Sequence, residues 1–198
     1  MTEEERKAKW DRHYFADRDS GSAYEFLTEA KCLIDEKFGS GYFSAADFAG
    51  GSGETALWLS QQGFDTSLIE LSTAAIQIAQ AKARESNLSL KTISHDLESS
   101  ELLASSWDLV VCSNFFDRSL FRMFHRYVKP GGLLFIRVPT TINLERNVRP
   151  GKRFLADPDE LLALCKDFEI ISHEEEWFED RHEARLIGCL SEPLTKRN

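Results

Sequence analysis

The amino-acid sequence predicts an α/β protein with a doubly wound, mostly parallel seven-stranded sheet, helices on both faces and an antiparallel C-terminal strand. Two observations support this fold class. Short apolar runs alternate with amphipathic segments along most of the 198 residues, as in strand–helix–strand units. The segment 47–53, Asp-Phe-Ala-Gly-Gly-Ser-Gly, stands between an apolar run and an amphipathic one, where a strand would pass into a helix.

Apolar periodicity and the residues that end each run predict the elements in order. The aromatic residues of segment 1–20 fit one face of a helix or a hook, which would either pack on the body of the protein or cover a ligand. Segment 22–38 has helical spacing, and glycines at 39 and 41 end it. Ser72 is a predicted helix N-cap. The five strands of the central region are predicted at 43–49, 66–70, 89–94, 108–113 and 133–138. The helices between them are predicted at 54–62, 73–86 and 117–127.

The C-terminal part differs in character. Residues 139–157 show no clear periodicity and carry a local excess of basic side chains. A helix is predicted at 158–166, with Pro158 in its first turn. Two strands, at 169–175 and 183–190, are expected to close the sheet as an antiparallel pair.

Composition limits the classes of function. A net charge of −9 argues against a dedicated nucleic-acid-binding protein, which usually carries a basic face. No apolar run reaches the ~20 residues of a membrane span, and the acidic N-terminus lacks the apolar core of a signal peptide. We therefore expect a cytoplasmic protein without membrane or nucleic-acid partners, either a monomer or a homodimer. Its scattered cysteines and histidines show no ligand spacing, so no metal site is predicted.

The ends of the predicted strands carry the residues of chemical interest. Asp47 ends the first strand, Glu70 the second and Ser113 the fourth, and Asp96 follows the third. Ligands of doubly wound sheets bind beyond the carboxyl ends of the strands, where backbone N–H groups of a glycine turn face them. From residue 51 the chain also reads Gly-x-Gly-x-x-Ala, which fits a dinucleotide fingerprint.

This ordered set of motifs resembles the Rossmann-like, class I S-adenosylmethionine-dependent methyltransferases. The motifs are an acid with a glycine run at 47–53, an acid at 70, His-Asp-Leu at 95–97, the strand 107–113, and Val-Lys-Pro-Gly-Gly-Leu-Leu at 128–134. The resemblance covers about residues 10–188 and is nearest to the small tellurite-resistance and thiopurine-type branch. It implies a single domain over 1–198, with an N-terminal helical lid at 1–40, a cofactor-binding core at 41–138 and a substrate-side C-terminal part at 139–198.

The resemblance implies S-adenosyl-L-methionine as the cofactor and S-adenosyl-L-homocysteine as the product. Glu70 would bind the ribose hydroxyls and Asp96 the adenine amine, while Tyr14 would belong to the lid. Ala49 departs from the glycine usual at its position, where a small residue is expected to suffice. The cofactor-binding residues implied in this way are Tyr14, Asp47, Ala49, Gly50, Gly51, Gly53, Glu70, Leu71, Asp96, Leu97 and Ser113.

The acceptor side is less defined. Methyl transfer is an in-line displacement that depends mainly on alignment, so a catalytic dyad is not required. Phe115 and Phe116 either line an apolar substrate wall or pack on the following helix, and the prolines of amino-methylating relatives are missing beside them. Asp117 is expected to be an N-cap rather than a base.

Basic residues of the C-terminal part are further candidates. In the loop, Arg146 is a candidate for substrate binding and Arg149 and Arg153 for catalysis, since guanidinium groups suit oxyanions, but a solvated basic loop is the alternative. The resemblance adds Arg181, His182 and Arg185 as catalytic candidates, with a charged hairpin as the alternative. The sequence thus predicts a methyltransferase acting on a small molecule.

Two other functions remain open. A nicotinamide-dependent oxidoreductase would fit the dinucleotide fingerprint but would need a proton relay such as Tyr-x-x-x-Lys, which the sequence lacks. A non-catalytic cofactor-binding or interaction protein would fit Ala49 and the lack of a catalytic acid after the fourth strand.

Overall fold

The computed structural model of the chain describes residues 1–16, 25–99, 101–102 and 106–192. Within these ranges the strands, numbered β1 to β7, span Ser44–Phe48, Asp65–Glu70, Lys91–Ser94, Trp107–Ser113, Val128–Pro139, Glu169–Phe178 and Arg181–Cys189. The α-helices, numbered α1 to α7, span Glu3–Phe15, Glu25–Glu29, Lys31–Phe38, Glu54–Gln61, Thr73–Glu85, Arg118–Met123 and Glu160–Leu164.

The strands form one seven-stranded sheet in the order β3-β2-β1-β4-β5-β7-β6. Strand β1 pairs with β2 in parallel, and β2 pairs with β3 in parallel. Strand β7 pairs in antiparallel fashion with both β5 and β6. Nearly every residue of β1 and β2 is buried, as expected for strands covered by helices on both faces. The predicted fold class is confirmed.

Most predicted elements are present, and the differences have local causes. The helix predicted at 22–38 is interrupted at Ala30 into α2 and α3, and part of it lies outside the described residues, as does the end of the 1–20 segment. Strand β5 begins at Val128 and so includes the Lys-Pro-Gly-Gly run, which was predicted to precede the strand. Helix α7 begins at Glu160 and not at Pro158, because Asp159 before it has a left-handed φ of 59°.

The chain divides into two compact units. The first contains residues 1–103 with 111–113, and the second contains 104–110 with 114–198. The single domain expected from the sequence stays a prediction.

In the first unit, the helices after β1 and β2 pack closely together. Ala56 of α4, Leu68 of β2 and Ala79 of α5 are fully buried in one apolar cluster. Gly53 precedes α4, and a Cβ at this position would lie 2.7 Å from the Cβ of Ala79. The glycine therefore permits the close approach that places the turn after β1 at the end of the sheet.

Among the described residues, no helix combines the length and the apolar character needed to cross a bilayer. The cytoplasmic location stays a prediction.

Candidate active site

The turn between β1 and α4 is built from residues with left-handed backbone conformations. Ala49, Gly51 and Gly53 have φ values of 54°, 56° and 85°. Glycine adopts these values at little cost, whereas alanine at such a φ costs about 1–2 kcal/mol. Ala49 therefore holds a strained conformation, and a small side chain is not the only requirement at this position.

The backbone N–H groups of this turn bond within the protein. The Gly53 N–H donates to the Gly50 carbonyl at 3.0 Å. The Gly51 N–H donates to Oε2 of Glu70 at 3.1 Å. The Glu70 carboxylate thus takes the Gly51 N–H group, which a dinucleotide site would offer to the pyrophosphate of its ligand.

Asp47, the last acid of β1, lies under the turn and is 1% exposed. A Cβ on Gly50 would lie 2.3 Å from its Oδ2, so the glycine makes room for the carboxyl group. That Oδ2 atom has no hydrogen-bond partner among the residues that the structure describes. Burial raises the pKa of Asp47 to about 8, although a backbone hydrogen bond from Ala56 opposes the shift.

Glu70 ends β2 and is held by two backbone donors. Its Oε1 accepts from the Ser72 N–H at 2.7 Å and its Oε2 from the Gly51 N–H. Burial raises the pKa of Glu70 despite these bonds. The carboxylate is thus fixed beside the glycine turn, with a side chain that is almost fully buried.

Asp96 follows β3 and pairs with an arginine of the N-terminal helix. Its Oδ2 accepts from Nε of Arg6 at 2.9 Å and from Nη2 of Arg6 at 2.5 Å. Its Oδ1 accepts from the Glu98 N–H at 3.1 Å. Burial alone would raise the pKa of Asp96, but the hydrogen bonds outweigh it and hold the pKa below the usual value. The sequence prediction missed Arg6, which no local motif marks.

Helix α1 contacts all three of these strand ends. Besides the Arg6 pair, Asp11 accepts from the Ser72 hydroxyl at 2.6 Å and from the Ala74 N–H at 3.1 Å, at the start of α5. The Tyr14 hydroxyl lies so close to the glycine turn that a Cβ added to Gly51 would be 2.3 Å from it. Burial and the nearby acids raise the pKa of Tyr14. The lid over the cofactor stays a prediction.

The structure also places the remaining predicted cofactor residues at strand ends of this unit. Leu97 is buried beside Asp96, and Leu71 is half-buried beside Glu70. Ser113 ends β4, and its buried Oγ lacks a hydrogen-bond partner within the described part of the chain. Two unpartnered oxygens, those of Asp47 and Ser113, are therefore available to a ligand.

The charges of this site fit a cation better than a phosphate. Asp47, Glu70 and Asp96 are buried carboxyl groups, and desolvation by burial is the largest cause of the raised pKa of the first two. S-adenosyl-L-methionine carries a sulfonium and an ammonium group, whereas the pyrophosphate of NAD is anionic. The residues present therefore fit the first cofactor and disfavour the second.

In the second unit, three arginines surround one buried glutamate. Glu183 is fully buried and accepts from Nε and Nη2 of Arg137 at 2.6 and 2.9 Å. The Nε atoms of Arg181 and Arg185 lie 3.4 Å from its carboxylate oxygens. Arg181, Glu183 and Arg185 alternate along β7 and so share one face. We call these four residues the arginine cluster; its formal charge, three positive less one negative, is +2.

Arg181 is the most exposed arginine of this cluster. Its side chain is 34% exposed, against 13% for Arg137. It donates to Oδ1 of Asn114 at 2.6 Å, and Asn114 follows β4 with a φ of 62°. Burial lowers the pKa of Arg181, and the charge of Arg137 adds to this effect.

The other basic candidates lie elsewhere. His182 lies between Arg181 and Glu183 on β7, so its side chain projects from the opposite face of the strand. Its Nδ1 lies 2.8 Å from the Thr140 hydroxyl. The side chains of Arg149 and Arg153 are exposed in the loop. The guanidinium group of Arg146 stacks 3.7 Å from the ring centroid of Trp177. The structure thus joins Arg181 with Arg185 and separates both from His182.

The residues after β4 pack against helix α6 or cap its N-terminus. Phe116 is 5% exposed and packs edge-on against Phe121 of α6 at 5.2 Å between ring centroids. Phe115 is half-buried. Asp117 accepts from the N–H groups of Ser119 and Leu120, each at 2.9 Å, and is the N-cap of α6 as predicted. Phe116 therefore packs on the helix, and a substrate-lining role for either phenylalanine stays a prediction.

Sequence comparison gives one family match. Residues 45–132 match the family model described as a methyltransferase domain. No curated protein sequence matches the chain.

Solved structures share the fold at low identity. TehB from Haemophilus influenzae is 17% identical, with a TM-score of 0.67, over 80% of this chain and 61% of TehB, so the chain spans less than two thirds of that protein. An S-adenosylmethionine-dependent methyltransferase from Clostridium acetobutylicum is 16% identical over 93% of this chain and 97% of that one, with a TM-score of 0.67.

The magnesium protoporphyrin IX methyltransferase from Synechocystis, solved with bound SAH, is 14% identical over 84% of this chain and 82% of that one, with a TM-score of 0.67. The family match covers the glycine turn and the three buried acids, and the fold agrees with it. Over residues 45–132 this chain is therefore similar to methyltransferase domains, and its fold is one that S-adenosylmethionine-dependent methyltransferases share.

Proposed function

We propose that this protein methylates a small molecule that carries a negative charge, with S-adenosyl-L-methionine as the methyl donor. The observation that carries the proposal is the arginine cluster, which places an excess of positive charge on one face of β7 in a chain whose net charge is −9.

The first unit supplies cofactor recognition. Glu70 accepts charge-assisted hydrogen bonds from the ribose hydroxyls, and Asp96 accepts a hydrogen bond from the adenine amine. The carboxyl group of Asp47 is buried without a cation, so a positively charged ligand relieves its desolvation. Tyr14 and Ser113 complete the set, with Gly51 allowing close approach to the backbone.

The chemistry needs alignment more than acid–base groups. When bound, S-adenosyl-L-methionine would supply an activated methyl carbon with a neutral thioether as the leaving group, so that an acceptor lone pair could displace it in line. Arg181 binds the anionic group of the acceptor, because it is the cluster's most exposed guanidinium. Arg137 and Glu183 hold the cluster together. Within the first unit, the lid that α1 forms would keep water from the cofactor.

Cofactor binding is tested by calorimetric titration with S-adenosyl-L-homocysteine, with NAD as the control ligand. We expect binding of the first and none of the second. Glu70→Gln should weaken binding by removing charge-assisted bonds, each worth about 1.5–3 kcal/mol. Binding of NAD alone would overturn the cofactor assignment, and binding of S-adenosyl-L-homocysteine without turnover of any acceptor would favour a non-catalytic protein.

The acceptor class is tested with small carboxylic acids and oxyanions. Each is paired with its neutral ester or amide where one exists. Turnover is measured as the formation of S-adenosyl-L-homocysteine. We expect turnover of the anionic members and a raised KM in Arg181→Gln. Arg149→Gln, which removes an exposed loop arginine outside the cluster, is the matched control and should leave KM unchanged. Equal turnover of anionic and neutral acceptors would refute the acceptor class while leaving the cofactor assignment intact.

A further inference from the structure

A second group of side chains, distant in sequence from the methyltransferase motifs, has the composition of a metal site. It consists of Asp159, His173 and Glu175, which lie in the second unit. Each offers one ligand atom, and the three atoms lie within 4.8 Å of one another. We propose that Asp159, His173 and Glu175 bind a zinc ion at the edge of the sheet.

Local structure explains why the three side chains converge. His173 and Glu175 are two residues apart on β6, so they project from the same face of this edge strand. Asp159 precedes α7, and its left-handed φ of 59° turns the chain toward β6. Its backbone N–H donates to Oε1 of Glu175 at 2.9 Å. The same bond fixes the orientation of the glutamate carboxylate, as hydrogen bonds to metal ligands commonly do.

The distance between the two ligands on the strand fits a tetrahedral metal. Nε2 of His173 lies 3.3 Å from Oε1 of Glu175. Ligand atoms at ~2.0–2.1 Å from a tetrahedral zinc ion lie roughly 3.3 Å from each other, so this pair matches one edge of the coordination sphere. The exposed carboxylate of Asp159 supplies a third ligand, and water would take the fourth position.

The histidine nitrogen gives a second, independent argument. Nε2 of His173 is buried and makes no hydrogen bond to any residue in the described part of the chain. A buried ring nitrogen that makes no hydrogen bond costs free energy unless a ligand satisfies it. Two carboxylates and one neutral imidazole carry a charge of −2, which a divalent cation neutralises. An imidazole nitrogen with carboxylate oxygens favours zinc over magnesium or calcium, which prefer oxygen ligands alone.

Zinc at this position ties the segment before α7 to strand β6. Its removal should therefore lower the thermal stability of the protein without touching the residues assigned to cofactor binding. The sequence did not predict this site, because Asp159 and His173 are fourteen positions apart and their spacing matches no familiar metal-binding motif.

The test is calorimetric titration of the untagged, chelator-treated protein with zinc chloride, alongside cobalt chloride titration followed by visible absorption. We expect one zinc ion per chain, a tetrahedral cobalt spectrum, and affinity weakened more than about tenfold in both His173→Gln and Asp159→Asn. Asparagine tolerates a left-handed φ, so Asp159→Asn keeps the backbone and remains decisive if the histidine variant unfolds. Zinc should also raise the melting temperature of the wild type but not of Asp159→Asn.

His125 provides the matched control. Its Nδ1 lies 3.4 Å from Oδ2 of Asp167, so it also pairs with a carboxylate, but no third metal-ligating group joins them within the described ranges. His125→Gln should leave zinc affinity unchanged. The proposal is overturned if the wild type shows no saturable zinc binding, or if binding survives both His173→Gln and Asp159→Asn.

Discussion

Substitution of Gly51 by alanine tests the glycine turn most directly. Its φ of 56° lies in the left-handed region, where alanine costs about 1–2 kcal/mol. The added methyl group would also lie 2.3 Å from the Tyr14 hydroxyl, which must retreat by more than ~1 Å to reach van der Waals contact. Tyr14 belongs to α1, whose Arg6 and Asp11 contacts resist that movement.

Two measurements separate these effects. Unfolding in urea should show a loss of about 1–3 kcal/mol, and a protein of this length should melt roughly 2–10 °C lower. Because the methyl group stands where the cofactor would approach the backbone, we expect the Kd of S-adenosyl-L-homocysteine to rise by more than about tenfold, which is roughly 1.4 kcal/mol.

Gly63→Ala is the matched control. Its φ of 93° lies beyond the usual left-handed region, so the backbone strain is at least as large, but no described atom lies within 4 Å of the added Cβ. Gly63→Ala should therefore lose stability and keep cofactor affinity. Unchanged affinity in Gly51→Ala would refute the assignment of this turn to cofactor binding.

Three further predictions concern buried charges. Burial raises the pKa of Asp47 from its ordinary value of 3.8 to about 8, so between these pH values the folded state binds more protons and stability falls as pH rises. Asp47→Asn should flatten that slope, measured as the free energy of unfolding in urea at pH 5 and pH 8. A slope that persists in the variant would contradict this prediction. Arg6→Ala should release α1 from Asp96, seen as faster amide hydrogen exchange throughout that helix, whereas unchanged exchange would show that the pair contributes nothing. Glu183→Gln leaves buried guanidinium groups without their counter-charge and should cost about 3–5 kcal/mol of unfolding free energy by urea titration, so a loss within ~0.5 kcal/mol would contradict the cluster's role in stability.

The residues predicted for the cofactor side depend on local patterns, and the structure places them at strand ends as expected; their role in cofactor binding stays a prediction. A strand that ends in an acid and passes through glycines into a helix leaves a contiguous signature, so Asp47 and Gly51 could be placed without a structure. Glu70 follows from the end of the next strand. These positions are fixed by the fold class alone, since the carboxyl ends of parallel strands meet at one edge.

Contacts between distant segments leave no such pattern. Arg6 contacts Asp96 across ninety positions, and nothing in the N-terminal charges indicates which arginine does so. The positive φ of Ala49 is likewise set by the turn and is invisible in composition. Arg181 and Arg185 share a face with Arg137 only because β7 pairs antiparallel with β5, a register that the sequence did not specify.

The charge of the whole chain therefore says little about the acceptor. A net charge of −9 would by itself suggest that anionic ligands are repelled. Screening limits that repulsion to about 8 Å at physiological salt, whereas a half-buried guanidinium acts on a group in direct contact with it. The guanidinium of Arg181 is half-buried in this way and contacts Glu183 and Asn114. It stays charged throughout the physiological pH range. For the anionic acceptor proposed above, local geometry rather than overall charge is therefore expected to decide selection.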